Sequence, residues 1–190
     1  MLKVQNLNKK FGTLNVINDF SFQVDDGEIV AITGPSGCGK TTLLNIISGL
    51  IPPDSGSIQN SEKKVSYVFQ EDRLLPWLTV WDNIKLVNDK QSPHEIQRLI
   101  NAVGLNGFEK YMPGRLSGGM KQRCAIARAL NYGSKILLLD EPFKGLDQEI
   151  KTKILLDIKK INLEQKISIL LVTHDLSEAE QLNARIIKLV

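Results

Sequence analysis

Two hydrophobic rhythms share this chain. In LKVQNL and NDFSFQVDDGEIVAIT apolar side chains fall at every second position and then close into an unbroken apolar run. Period two marks a strand with one buried face, and the unbroken run marks a strand buried on both. The pattern therefore predicts short antiparallel strands leading into a buried one that ends at Gly34. From Gly39 to Leu50 the spacing becomes helical (KTTLLNIISGL), and IPPDSGS follows as a turn-rich connection. VSYVF is a short strand running up to Gln70. Beyond it WDNIKLV, PHEIQRLINAVG (with proline at a helix start) and SGGMKQRCAIARAL are helical. KILLLD returns to a strand, LDQEIKTKILLDIKKI is a helix, ISILLVT a strand, DLSEAEQL a short helix and RIIKLV a last strand. Strands alternating with helices imply an α/β core around a parallel sheet. The stretch 71–131 reads as a helical insertion into that core, leaving 1–70 and 132–190 as its two halves.

Composition narrows the function classes. At 190 residues, 42% hydrophobic and 24% charged, the chain fits one globular domain carrying an inserted lobe. A net charge of +3 is too small and too dispersed for a nucleic-acid footprint. No apolar run approaches the roughly 18 residues of a membrane span, and MLKVQNLNKKF lacks a secretory leader's apolar stretch. Cys38 and Cys124 form no disulfide framework, so a reducing, cytosolic setting is expected.

Gly34-Pro35-Ser36-Gly37-Cys38-Gly39-Lys40-Thr41-Thr42 fits the phosphate-loop spacing G-x-x-x-x-G-K-[ST], with a strand before it and a helix after. Its glycines let successive backbone N–H groups face phosphate oxygens. Lys40 can reach the outer phosphates, and the Thr41 hydroxyl can ligate Mg²⁺. In ILLLDEP, Asp140 ends a strand where a carboxylate can hold that ion through water. Glu141 follows where a general base would polarise an attacking water. His174 (in LVTHD) and Gln70 end two further strands. The carboxyl edge of a parallel sheet would gather all of these, with His174 on the terminal phosphate and Gln70 on the metal or water. LSGGMKQR starts a helix at Ser117-Gly118-Gly119, and free N–H groups at a positive dipole end offer a second anion site. It lies in the inserted lobe. A nucleotide bound to another copy of the chain, in a two-fold sandwich, accounts for it. Ordinary helix capping by Ser117 is also compatible with it.

The set GPSGCGKTT, Gln70, LSGGMKQR, ILLLDEP, Gly145-Leu146-Asp147 and Thr173-His174 resembles the ATP-binding cassette of ABC transporters, in that family's order and over nearly the whole chain. The resemblance implies a P-loop NTPase (RecA-like) parallel-sheet core with N-terminal antiparallel β strands and an inserted helical subdomain. It implies ATP and Mg²⁺ as cofactors, and ATP hydrolysis coupled to transport. The implied partners are a second cassette (a homodimer or a paired chain), integral-membrane permease subunits and a solute-binding protein, with no nucleic acid. The implied location is the cytoplasmic face of the membrane. By the same resemblance Phe11 stands where an aromatic residue stacks on adenine, and Asp147 where a loop aspartate crosses the dimer interface.

VFQEDRLLPWLTVWDNI is similar to cassettes importing nitrate, sulfonates, taurine and related small solutes. Leu74, Leu75, Pro76, Trp77 and Trp81 put apolar bulk just past Gln70. Leu74 and Leu75 suit either a groove for a membrane subunit's helix or the lobe's own core, and Trp81 is expected in the core. Lys144 departs from the family in a place usually held by a small residue. The chain stops after RIIKLV, so no C-terminal regulatory domain is expected. A soluble cassette ATPase acting on ribosomes or nucleic acid is the alternative. Such proteins usually carry two cassettes or a coiled-coil insertion, and neither is present. A phosphate-loop kinase would leave LSGGMKQR unexplained.

Overall fold

The structure, a computed structural model, describes residues 1–60 and 64–189. Eight strands form two sheets among the described residues: β1 (Leu2–Phe11), β2 (Leu14–Val24), β3 (Ile29–Thr33), β4 (Ser55–Asn60), β5 (Ser66–Val68), β6 (Ile136–Asp140), β7 (Ser168–Val172) and β8 (Arg185–Lys188). The helices are α1 (Lys40–Ile47), α2 (Val80–Lys85), α3 (Pro93–Ala102), α4 (Gly118–Asn131), α5 (Gln148–Gln165) and α6 (Leu176–Gln181).

The larger sheet is five-stranded and parallel, in the order β5-β6-β7-β3-β8. Its central strands β3, β6 and β7 are buried at every residue, as their unbroken apolar sequences require. The two faces feed different cores. Ile136 and Leu138 of β6 point with Val30, Ile32, Leu170 and Val172 into a cluster shared with α1 and the antiparallel sheet. Leu137 and Leu139 join Ile29, Ile169 and Leu171 against α4 and α5. Helices α2, α3 and α4 fall between β5 and β6 in the chain. Their Val80, Ile84, Ile96, Ile100 and Ile126 belong to that same second cluster.

The smaller sheet has the order β2-β1-β4 and is antiparallel throughout. It corrects two expectations. β1 and β2 run 10 and 11 residues, not as short strands. Their alternation is interrupted at Asn6 (φ 48°) and Asp19 (φ 45°), where the register shifts, as at a β-bulge. The Asn6 amide donates to the Asp19 carboxylate at 2.7 Å, so the two irregular positions pin each other. The IPPDSGS connection in turn runs into a strand, β4, paired with β1. SGSIQN has one apolar residue and lies at a sheet edge, which is why its composition reads as a turn. Trp81 packs partly buried against the larger core, as does Leu74. Trp77 is 69% exposed and belongs to neither core.

Candidate active site

The carboxyl ends of β3, β5, β6 and β7 lie along one edge of the parallel sheet and carry the phosphate loop, Gln70, Asp140–Glu141 and Thr173–His174. A cleft of about 320 Å³ opens there, lined among others by Ser36, Lys40, Thr41, Gln70, Glu141 and Lys144.

The loop from Gly34 to Gly39 owes its shape to residues without side chains. Gly37 and Gly39 adopt φ of 82° and 99°, a region that costs other residues strain. A Cβ on Gly39 would come within 2.7 Å of Val16 Cγ1, and one on Gly34 would run into the Leu189 carbonyl. Helix α1 begins at Lys40 with no side-chain cap and no acidic residue in its first turn. The other α-helices among the described residues are each capped by a side chain, from Thr79, Ser92, Ser117, Asp147 and Asp175. An uncapped helix start beneath a glycine loop leaves N–H groups and a positive dipole end for an anion. Lys40 is buried, and its ammonium donates to the carbonyls of Gly34 (2.9 Å) and Pro35 (2.8 Å).

Asp140 is buried at the end of β6. Burial pushes its carboxyl above the ordinary range. The nearby Thr41 hydroxyl works against that shift, neighbouring Glu141 adds to it, and Tyr67 and Lys40 pull it back. The Tyr67 hydroxyl lies 3.4 Å from Asp140 Oδ2 and 3.2 Å from Asn45 Oδ1, and burial raises its own pKa. An acid whose folded pKa is raised stabilises the fold below its unfolded value and loses that contribution as pH rises through the folded value. Asp140→Asn is therefore expected to melt above the parent at pH 7.5 without ligand. Scanning calorimetry checks this, and an unchanged or lower melting temperature overturns it.

Glu141 takes φ of 45°, a left-handed conformation uncommon outside glycine and concentrated at functional sites. Its N–H still donates to Val172 O at 3.0 Å, so the backbone stays tied to β7 while the side chain enters the cleft. Two basic groups flank its carboxylate, His174 Nδ1 at 3.5 Å from one oxygen and Lys144 Nζ at 3.4 Å from the other. Lys144, unexpected at this position from the family pattern, thus has a definite partner.

Not every residue singled out from sequence converges on this cleft. Phe11 is 51% exposed at the end of β1, with the Lys9 ammonium 5.5 Å from its ring, and does not line it. Ser117 caps α4 by accepting from the Met120 N–H at 3.2 Å. Gly118 lines a neighbouring cavity of about 550 Å³ together with Gln70, Gln122, Glu141 and Lys144. Gly119 sits so close to Leu146 that a Cβ would meet its Cδ2 at 3.0 Å, so the start of α4 abuts the Gly145–Asp147 loop. Asp147 caps α5, accepting from the N–H groups of Glu149 (2.9 Å) and Ile150 (3.5 Å). Cys38 is half-buried beside Lys40, whereas Cys124 is buried in the core and its thiol is pushed up to about 12 by desolvation, which leaves it unreactive.

Sequence reasoning missed the groups that hold this edge together. Gln122 donates to Phe69 O (3.2 Å) and Arg128 to the carbonyls of Arg73 (2.9 Å) and Asp72 (3.1 Å), so α4 grips the segment around Gln70. The Arg73 guanidinium lies 3.7 Å from the Phe69 ring centroid, and that ring stacks on Tyr67 at 3.9 Å.

Known proteins share this arrangement. Residues 17–144 match the family model described as ABC transporter. The aliphatic sulfonates import ATP-binding protein SsuB 2 of Pseudomonas syringae pv. tomato is 44% identical over 180 residues, covering 94% of this chain and 78% of that protein. SsuB of Zymomonas mobilis is 43% identical, covering 99% of this chain and 81% of that protein. A dimeric ATP-binding cassette in a post-hydrolysis state, bound to ADP and Pi, superposes with a TM-score of 0.90 at 33% identity, covering 100% of this chain and 94% of its own. A dimeric bacterial ABC transporter cassette gives 0.91 at 32%, with the same coverage.

Proposed function

The chain belongs to the ABC transporter family as an ATP-hydrolysing subunit, and we propose that it powers import of a small anionic solute of the aliphatic sulfonate class through separate membrane subunits. The observation that carries the enzymatic part is a single carboxylate, Glu141, facing the cleft that also holds Lys40 and Thr41, with His174 and Lys144 beside it. Phosphoryl transfer to water needs positioning and charge neutralisation more than covalent chemistry, and this set supplies both. The loop Gly34–Thr42 binds the phosphates through backbone N–H groups and Lys40. Glu141 takes a proton from the attacking water, and His174 and Gln70 orient that water and the terminal phosphate.

Among the described residues no group of three or more His, Cys, Asp or Glu could cage a metal ion. That suits Mg²⁺, which takes one or two protein oxygens and completes its shell with water and phosphate. The Thr41 hydroxyl and the neighbouring Asp140 carboxylate are the donors that would hold it, with Gln70 beside them. Bound there, Mg²⁺ would neutralise charge building on the phosphates.

The assembly we favour is a two-fold pair of cassettes, identical or not, with ATP between one subunit's phosphate loop and the other's Ser117–Gly119. Dimeric cassettes of the same fold support it, and Phe11 and Asp147 would complete that interface. We assign 1–70 and 132–190 to the nucleotide-binding core, and 71–131 to the lobe that passes ATP-driven closure to the permease at the cytoplasmic face of the membrane. No helix among the described residues is long and apolar enough to cross a membrane. A solute-binding protein would deliver the cargo. Gentle co-purification of the tagged chain from native membranes tests the transport reading. A polytopic permease in the eluate is the expected result, and ribosomes or nucleic-acid complexes without one would overturn it.

A further inference from the structure

His174 has little packing to hold it. Its side chain is 64% exposed, and Glu141 lies 3.5 Å from its ring nitrogen. An exposed imidazole keeps a fixed distance to a reacting group only if its backbone is rigid, and both of its neighbours are anchored in a buried ionic cluster. Thr173 Oγ1 donates to Glu178 Oε2 at 2.6 Å and accepts from the Asp175 N–H at 3.0 Å. Asp175 in turn caps α6, accepting from the Ser177 N–H at 2.9 Å. The cation that joins these carboxylates comes from another element. Lys151 Nζ lies 2.7 Å from Asp175 Oδ2 and 3.3 Å from Glu178 Oε1. Lys151, Glu178 and Thr173 are all buried.

Lys151 sits one turn into α5, and its N–H donates to Asp147 O at 2.8 Å. The ion cluster therefore ties the start of α5, and with it the Gly145–Asp147 loop, to the turn that carries His174. We propose that Lys151 is a positioning residue for His174, holding the imidazole in register with Glu141 and linking it to the Asp147 loop. The inference rests on the ATPase reading above. The charge interactions agree with it: the Lys151 hydrogen bond holds Asp175 down to about 2, and Asp175 in turn raises the lysine.

The test compares Lys151→Met and Lys151→Arg with the parent in steady-state ATP hydrolysis, each checked for native circular dichroism. Lys151→Met is expected to lower kcat about tenfold or more while KM for ATP stays within about twofold, because a misplaced catalytic group costs turnover and leaves ground-state binding intact. Lys151→Arg, which keeps the cation, is expected to retain kcat within about threefold. Should Lys151→Met not fold, Thr173→Val, which removes the hydroxyl's links to Glu178 and to the Asp175 N–H but keeps the lysine, is read by the same split. A folded Lys151→Met or Thr173→Val with parental kcat, or an arginine variant no better than the methionine one, overturns the proposal. A parent that hydrolyses no ATP would instead remove the ATPase reading beneath it.

Discussion

Glu141→Gln is expected to bind ATP within about threefold of the parent and to hydrolyse it at least about a hundredfold more slowly, the usual range for loss of a general base being 10²–10⁴. The substitution keeps the side chain's length and shape and removes its ability to accept a proton. Because glutamine and glutamate meet similar resistance in the left-handed region, the φ of 45° at this position should persist, and with it the Val172 hydrogen bond. The ion pair with Lys144 is lost, but that lysine is 59% exposed, and exposed pairs contribute little. Folding and nucleotide binding should thus survive while the chemistry fails. Phosphate release measured beside equilibrium binding of ATP separates the two. Equal turnover in mutant and parent would remove Glu141 from its role and move attention to His174.

How far the sequence foretold this can be judged element by element. IVAIT, ILLLD and SILLV each became a parallel strand buried at every residue, because a strand covered on both faces is apolar along its middle and keeps its polar side chains, here Thr33, Asp140 and Ser168, to its ends. The helix starts at Ser92-Pro93 and Ser117 were legible from capping chemistry. β4 was not, since SGSIQN forms a strand only because β1 offers it an edge. In the site, the residues on the sheet rim were legible because motif and strand end coincide. Tyr67 and Lys151 were not. Tyr67 and Asp140 are 73 positions apart, and Lys151 and Asp175 are 24. No local pattern encodes such proximity, which arises only when β5 joins β6 and α5 packs beside α6.

Lys40→Ala should fail at the step that Glu141→Gln leaves intact. The Lys40 ammonium is buried and held by the two loop carbonyls of Gly34 and Pro35. Those bonds are to neutral oxygens of its own loop, so a phosphate anion in the cleft would offer the ammonium a stronger, charge-assisted partner at short range. A hydrogen bond to a charged group contributes about 1.5–3 kcal/mol, which converts to an affinity roughly 10- to 100-fold weaker once it is gone. Alanine also leaves two loop carbonyls without their donor, so the glycine loop that orients the backbone N–H groups loses a brace. Titration calorimetry with ATP in the presence of Mg²⁺ measures the effect directly. An unchanged affinity would mean that the backbone cradle and the helix start bind phosphate by themselves, leaving Lys40 as a brace for the loop. A weakened one, set against tight binding by Glu141→Gln, would divide the cleft into a part that holds ATP and a part that hydrolyses it.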